Sequence, residues 1–250
     1  MLYLIFNGNM KVTDYILFKI GRLPRGYVFT YEDFTSEVNK KEAVIKALNR
    51  MAASGHITKL TKGKYYKPEE TPFGQLKPSQ KEIVKDLLEE NGKIIGYLTG
   101  YSIYNELKLT TQVANMIQIG ANSVRHTFKR DQYIISFTRQ KNTITRDNIP
   151  LLQILDAIRN IRKIPGASIE FSYKRIRSIF KDLVDEEIHK TVRLSMKYPP
   201  STRALLGSII DDLGFDDEAD ALLRTLNPIT KYNFKELKGE AVDPYKWNLL

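Results

Sequence analysis

The chain has no cysteine and only three histidines, His56, His126 and His189, in 250 residues. Disulfides, thiolate metal sites and cysteine nucleophiles are thereby excluded. The histidines stand far apart, without the His-x-x-x-His spacing that puts two imidazoles on one helix face, so metal binding is not expected of them. No apolar run approaches the ~20 residues of a membrane span. The opening Met1 to Phe6 is too short for a signal peptide and has no basic lead-in, so the expected compartment is the cytoplasm. A phosphate-binding Gly-x-x-x-x-Gly-Lys-Ser/Thr loop and a Gly-x-Ser-x-Gly elbow are both missing. Ser102 and Ser123 lack a nearby candidate base. The sequence therefore gives no reason to expect an active site or a cofactor, and the chain is read as a non-enzyme.

Positive charge, by contrast, is plentiful and unevenly placed. The formal net charge is +10. Residues 1–68 hold 12 Lys/Arg against 5 Asp/Glu, a net of +7, while the remaining residues hold 27 against 24, a net of +3. A basic excess concentrated on one segment is the electrostatic footprint of a polyanion-binding domain.

That segment has its own pattern. Residues 11–20 place Val12, Tyr15, Ile16 and Ile20 on one helical face, closed by Gly21. Val28-Phe29 reads as a short strand, and Thr30 can cap a short helix in which Glu32 and Asp33 suit the positive helix start. Asn39 can cap a longer helix, where Val44, Ala47, Leu48 and Met51 recur at i, i+3, i+4, i+7 as a buried stripe. Gly55 ends it. Two strands joined by Lys62-Gly63 complete the unit. Strand, helix, basic helix and hairpin in this order spell a winged helix-turn-helix over residues 11–68, with residues 1–9 read as an upstream extension. The expected ligand is double-stranded DNA. Lys40, Lys41, Lys46, Asn49 and Arg50 would serve the reading helix and Lys62 and Lys64 the wing, with Arg22, Arg25 and Lys59 as further phosphate contacts.

Three prolines and a glycine between Pro68 and Pro78 point to a domain linker at residues 69–78. Residues 79–250 then form a larger mixed domain, so that the whole chain is a helix-rich α+β protein. Ser79 caps a helix ended by Asn91-Gly92. Residues 94–140 are strand-rich, with strands over Val113–Ile119, Val124–Lys129 and Tyr133–Phe137. Thr99 is read as the cap of a short helix carrying Tyr101, Ile103, Tyr104 and Leu107. Residues 149–226 are helical, and the tail 227–250 has little periodicity. The tyrosines Tyr97, Tyr101 and Tyr104 are spaced for a core face rather than for stacking on bases. In the acidic cluster from Asp211 to Asp220, Asp216 fits a helix cap and Asp217 and Glu218 a first turn, a better account than metal binding. Arg159, Arg162, Lys163, Lys174, Arg175 and Arg177 form a second basic region.

Three stretches resemble the AbiEi-type antitoxins of type IV toxin–antitoxin systems. They are the basic segment, with Ala47 to Met51 and Thr61 to Pro68, then Tyr97-Leu98-Thr99-Gly100-Tyr101-Ser102-Ile103-Tyr104-Asn105, then Tyr198-Pro199-Pro200-Ser201-Thr202-Arg203-Ala204-Leu205-Leu206-Gly207. The resemblance implies an autorepressor that binds inverted repeats in its own promoter. It also implies a second domain that counteracts a nucleotidyltransferase-like AbiEii toxin, with or without direct contact. The long helical C-terminal portion departs from the commoner members of that family. Two other readings stay open: a transcriptional regulator whose C-terminal domain senses a ligand or partner without any toxin, and a nucleic-acid-processing enzyme that would use Asp211 and Asp212.

Overall fold

In the computed structural model, the described residues are 11–35, 41–237, 239 and 243–250. The expected cap Asn39, the expected contact Lys40 and the extension 1–9 lie outside them. The chain is a mixed α+β protein that divides into two compact units, residues 1–85 and 86–250. No helix among the described residues is long and apolar enough to cross a membrane.

The N-terminal unit follows the amphipathic pattern of its sequence. It comprises α1 (Val12–Arg22), β1 (Val28–Phe29), α2 (Glu32–Thr35), α3 (Lys41–Ala53), β2 (Thr58–Thr61) and β3 (Lys64–Tyr66). The three strands form one antiparallel sheet in the order β1-β3-β2, with Val28 opposite Tyr66 and Phe29 opposite Tyr65. Burial of Val44, Ala47, Leu48 and Met51 seats α3 against α1, whose Tyr15, Ile16 and Ile20 complete the core with Phe29, Phe34 and Ile57. At α2, the Thr30 hydroxyl accepts from the Glu32 N–H (3.2 Å), and the Asp33 carboxylate accepts from the Thr30 N–H (2.7 Å), so the two side chains brace the helix start from both directions. Contrary to expectation, α1 does not close at Gly21. It runs one residue further, and the Lys67 ammonium donates to the freed carbonyls of Gly21 (2.7 Å) and Leu23 (3.1 Å).

The expected linker at 69–78 instead contains a hairpin, β4 (Glu69–Thr71) and β5 (Gly74–Leu76). Pro72 falls in the turn, where its missing N–H breaks no ladder bond. The Thr71 hydroxyl staples the reversal by accepting from the Phe73 N–H and donating to the Gly74 carbonyl. Ser79 caps α4 (Gln80–Ile83) through the Glu82 N–H, as its position predicted. The Glu82 carboxylate in turn accepts from the Val28 N–H (3.0 Å), tying this helix to β1.

The helix does not continue to Asn91-Gly92. It breaks at Val84, resumes as α5 (Lys85–Leu88), and yields to the hairpin β6 (Glu89–Glu90) and β7 (Lys93–Ile94). Both Asn91 and Gly92 have positive φ (50° and 74°), the backbone a two-residue hairpin turn requires. The pair therefore reverses a hairpin rather than ending a helix.

The C-terminal unit contains a four-stranded sheet, β8 (Gly96–Thr99), β9 (Met116–Ala121), β10 (Phe128–Arg130) and β11 (Tyr133–Arg139), in the order β10-β11-β9-β8. β9 and β11 are parallel, and the other two pairings are antiparallel. Two expected strands are shorter at their starts: Val113 is exposed outside β9, and residues 124–127 are irregular. After α6 (Tyr101–Tyr104) come five helices, α7 (Ile149–Arg159), α8 (Ile169–Lys181), α9 (Asp185–Ser195), α10 (Pro200–Asp212) and α11 (Asp216–Leu223). α10 is buried along most of its length and packs on the other four. Asp216 is the first residue of α11 and supplies no cap; its carboxylate, with those of Asp217 and Glu218, occupies the first turn, where the helix dipole favours negative charge.

The aperiodic tail is part of the core. Trp247 and Leu249 are fully buried, with Leu237, Phe234 and Tyr232 also inside. The six-membered ring of Trp247 packs against α10 at Gly207, where an added Cβ would run into it. Only a residue without a side chain admits the indole there.

Candidate nucleic-acid interface

The face of α3 away from its buried stripe carries Lys41, Glu42, Lys46, Asn49 and Arg50, all exposed. Lys46 and Arg50 are one turn apart, so their Cβ atoms project on the same side of the helix. With Lys41 and with Val12 and Thr13 of α1 they line a concavity of about 540 Å³. Glu42 also lines it and is the one acid among three cations there. Lys41 additionally sits over the Tyr31 ring at 4.6 Å, which anchors the start of α3 to α2.

Asn49 has a partner the sequence did not reveal. Its Oδ1 accepts from the buried Tyr65 hydroxyl at 2.7 Å, linking α3 to β3. Burial raises the Tyr65 pKa, which keeps that hydroxyl a donor. An asparagine that pairs bidentately with adenine uses both ends of its amide; here the acceptor end is already engaged, and the amide N–H₂ remains. Arg50 has no such internal tie among the described residues, and its guanidinium is the less encumbered of the two side chains.

The hairpin places Lys62 at its exposed turn, with Lys59 exposed in β2 and Lys64 half-buried in β3. Arg25 is exposed in the turn after α1. Arg22 ends α1 with its guanidinium over the Phe18 ring at 4.6 Å. His56 is exposed and shares a 2.8 Å hydrogen bond with Ser54. No group of acids and histidines able to hold a metal ion occurs among the described residues.

A second polar concentration, unforeseen from the sequence, lies inside the C-terminal unit. Asp156 on α7 is buried among Leu155, Ala157 and Ile158. Its Oδ2 accepts from the hydroxyls of Tyr97 (2.7 Å) and Thr99 (2.7 Å), and its Oδ1 from that of Tyr198 (2.8 Å). Gln140 donates to both tyrosine oxygens, at 2.8 and 2.9 Å, and its own carbonyl accepts from Asn142. Burial pushes the Asp156 pKa above the ordinary aspartate value, against the pull of the three hydroxyls and of Arg159. The phenols of Tyr97 and Tyr198 are driven upward too, first by burial and then by the neighbouring carboxylate. Thr99 therefore acts as a strand residue bound to Asp156, and no side chain caps α6, which begins after Gly100. The Tyr97 and Tyr198 stretches, about a hundred residues apart, meet at this one carboxylate. The signal was there to read: an aspartate inside the otherwise apolar run Ile154-Leu155-Asp156-Ala157-Ile158.

The acids Asp211 and Asp212 are engaged in holding the fold. Asp211 accepts from Lys246 Nζ (2.8 Å) and the Trp247 indole N–H (3.0 Å), and Asp212 pairs with Arg177.

The chain is a two-unit α+β protein with a basic N-terminal helix-and-hairpin unit. It belongs to the family described as "Family of unknown function (DUF6088)", whose profile matches residues 15–188. Its fold is similar to that in the crystal structure of the RV2827C protein from Mycobacterium tuberculosis, with a TM-score of 0.59 and 13% sequence identity over 90% of this chain and 85% of that one. No curated protein matches the chain.

Proposed function

We propose that residues 11–68 are a winged helix-turn-helix that binds double-stranded DNA, with α3 in the major groove and the β2–β3 hairpin as its wing. One observation carries this reading: the apolar stripe of α3 is fully used in packing, and the side it leaves free holds Lys41, Lys46 and Arg50 with a basic hairpin following. Phosphates attract such cations, and an arginine can pair with both acceptors of a guanine edge. Glu42 on the same face disfavours phosphate nearby and accepts from cytosine amino groups, so it adds to selectivity more than to affinity.

The chain then acts as a non-enzymatic cytoplasmic repressor of its own operon. The sequence resemblance extends this to an antitoxin whose C-terminal unit counteracts a nucleotidyltransferase-like toxin. The engagement of Asp211 and Asp212 in internal pairs favours the non-enzymatic reading over nucleic-acid processing. The test is a titration of the full chain against the DNA upstream of its own gene and a scrambled duplex at one fixed salt concentration. Preference for the upstream duplex supports the proposal, and equal binding to both, or none, rejects it.

A further inference from the structure

The C-terminal unit holds a concavity of a different kind. A cavity of about 610 Å³ lies between the end of β11, α7 and the turn from α9 to α10, and Arg139, Lys141, Arg159, Lys197 and Arg203 are five of its ten lining residues. No acid lines it. Among the described residues, none of the five is in an ion pair. Arg203 is held in place by the carbonyl of Tyr198 (2.8 Å) and by the hydroxyl (2.9 Å) and carbonyl (3.2 Å) of Thr225, so its charge is fixed but not neutralised. The Lys197 ammonium donates to the Lys141 carbonyl at 3.2 Å and joins two sides of the rim.

The floor is built as well. Tyr198, at 5% exposure, closes it, and its hydroxyl is locked between Asp156 and Gln140. Behind this wall Asp156 accepts three hydroxyl hydrogen bonds and also attracts Arg159, while burial disfavours its charged form, so it offsets the rim's positive charge only in part. Like charges converging on a concave, low-dielectric surface focus a positive potential, and that potential concentrates anions. The volume lies within the range of small-ligand sites, and Met196 and Pro199 give it an apolar wall.

We propose that this cavity binds a small phosphorylated ligand bearing at least two phosphate groups, such as a nucleoside di- or triphosphate. Several cations spread around one rim match a chain of phosphates better than a single carboxylate or monophosphate. Guanidinium groups also meet phosphate oxygens in pairs. The site lies in the C-terminal unit and does not depend on the DNA-binding reading of residues 11–68.

The experiment is calorimetric titration of the full chain with ATP, pyrophosphate and orthophosphate at roughly physiological ionic strength, where surface charge is largely screened. ATP and pyrophosphate should bind saturably, and orthophosphate more weakly. Arg139→Glu and Lys141→Glu should each weaken both ligands about tenfold or more, since each removes a charge-assisted hydrogen bond. Lys181→Glu, an equal charge change at the exposed end of α8, should leave binding as it was. Both cavity positions are exposed, and Arg139→Gln and Lys141→Gln give a milder comparison if a reversal fails to fold. Failure of both ATP and pyrophosphate to saturate overturns the proposal. So does equal weakening by Lys181→Glu. Orthophosphate binding as tightly as pyrophosphate would refute the need for two phosphates. Arg139-dependent binding of duplex DNA without binding of either small ligand would make this a backbone contact instead.

Discussion

Removing the Asp156 carboxylate should destabilise the C-terminal unit by about 3 kcal/mol. In Asp156→Ala, the hydroxyls of Tyr97, Thr99 and Tyr198 lose their common acceptor in a buried setting. Each stranded donor costs about 1–3 kcal/mol, and the total is reduced because a carboxylate no longer has to be desolvated. For a unit of this size, that is a fall in melting temperature of roughly 6–12 °C. The chain has a single tryptophan, Trp247, fully buried in this unit, so its fluorescence during urea or thermal unfolding reports this unit. The pH dependence adds a sign. Burial raises the folded pKa of Asp156 above its unfolded value, so the folded state holds this proton more tightly. That contribution is complete below the unfolded aspartate pKa and is lost as pH rises through the folded one. The stability gap between the wild-type chain and Asp156→Asn should therefore narrow as pH rises through this window. A loss below about 1 kcal/mol for Asp156→Ala, or a gap that widens with pH, would refute the reasoning.

Gly207→Ala should force the added methyl into the Trp247 ring, costing about 1–3 kcal/mol and changing the indole emission; an unchanged spectrum and melt would contradict that packing. Tyr65→Phe removes the hydrogen bond to Asn49 and should cost about 0.5–1.5 kcal/mol in the N-terminal unit while freeing the asparagine amide. If α3 binds DNA as proposed, the variant should keep that affinity, and a large loss would mean that the hydroxyl itself meets DNA. Deletion from Asn148 onward removes α7, which carries Asp156, together with all the helices after it. Such a chain should fail to protect cells from a partner toxin, and survival at equal protein level would argue against an antitoxic C-terminal unit.

The legible parts of this fold were those with a repeating physical signal. The stripe on α3 has the helix period because a packed helix buries one side, and it could be read without knowing what lay opposite. The helical character of residues 149–226 was equally plain, with Pro165-Gly166, Pro199-Pro200 and Gly214 marking breaks within it. Features fixed by distant partners were not legible. Thr99 has the local chemistry of a cap, yet its hydroxyl faces an aspartate 57 residues away. Trp247 and Leu249 are buried without any period, since an irregular segment fills a groove by shape alone. The prolines around residues 69–78 signal turns correctly but do not distinguish a linker from a hairpin reversal. At the candidate interface, the cations of α3 were evident from their spacing. The tie between Asn49 and Tyr65 was not, because it crosses between elements.

If α3 reads DNA as we propose, Arg50→Ala should weaken that reading. Arg50 is exposed and, among the described residues, without an internal partner, so the substitution should leave folding intact. Affinity for the chain's own upstream duplex and for a scrambled duplex would be titrated at several salt concentrations, beside Lys62→Ala in the wing. A lost base contact costs about 1–3 kcal/mol of specific binding, whereas a lost phosphate contact weakens all sequences alike and lowers the salt slope by about one. Arg50→Ala should shrink the ratio of specific to non-specific affinity, while Lys62→Ala should lower both affinities together. An Arg50→Ala chain that keeps the full preference of the wild type would contradict the proposal.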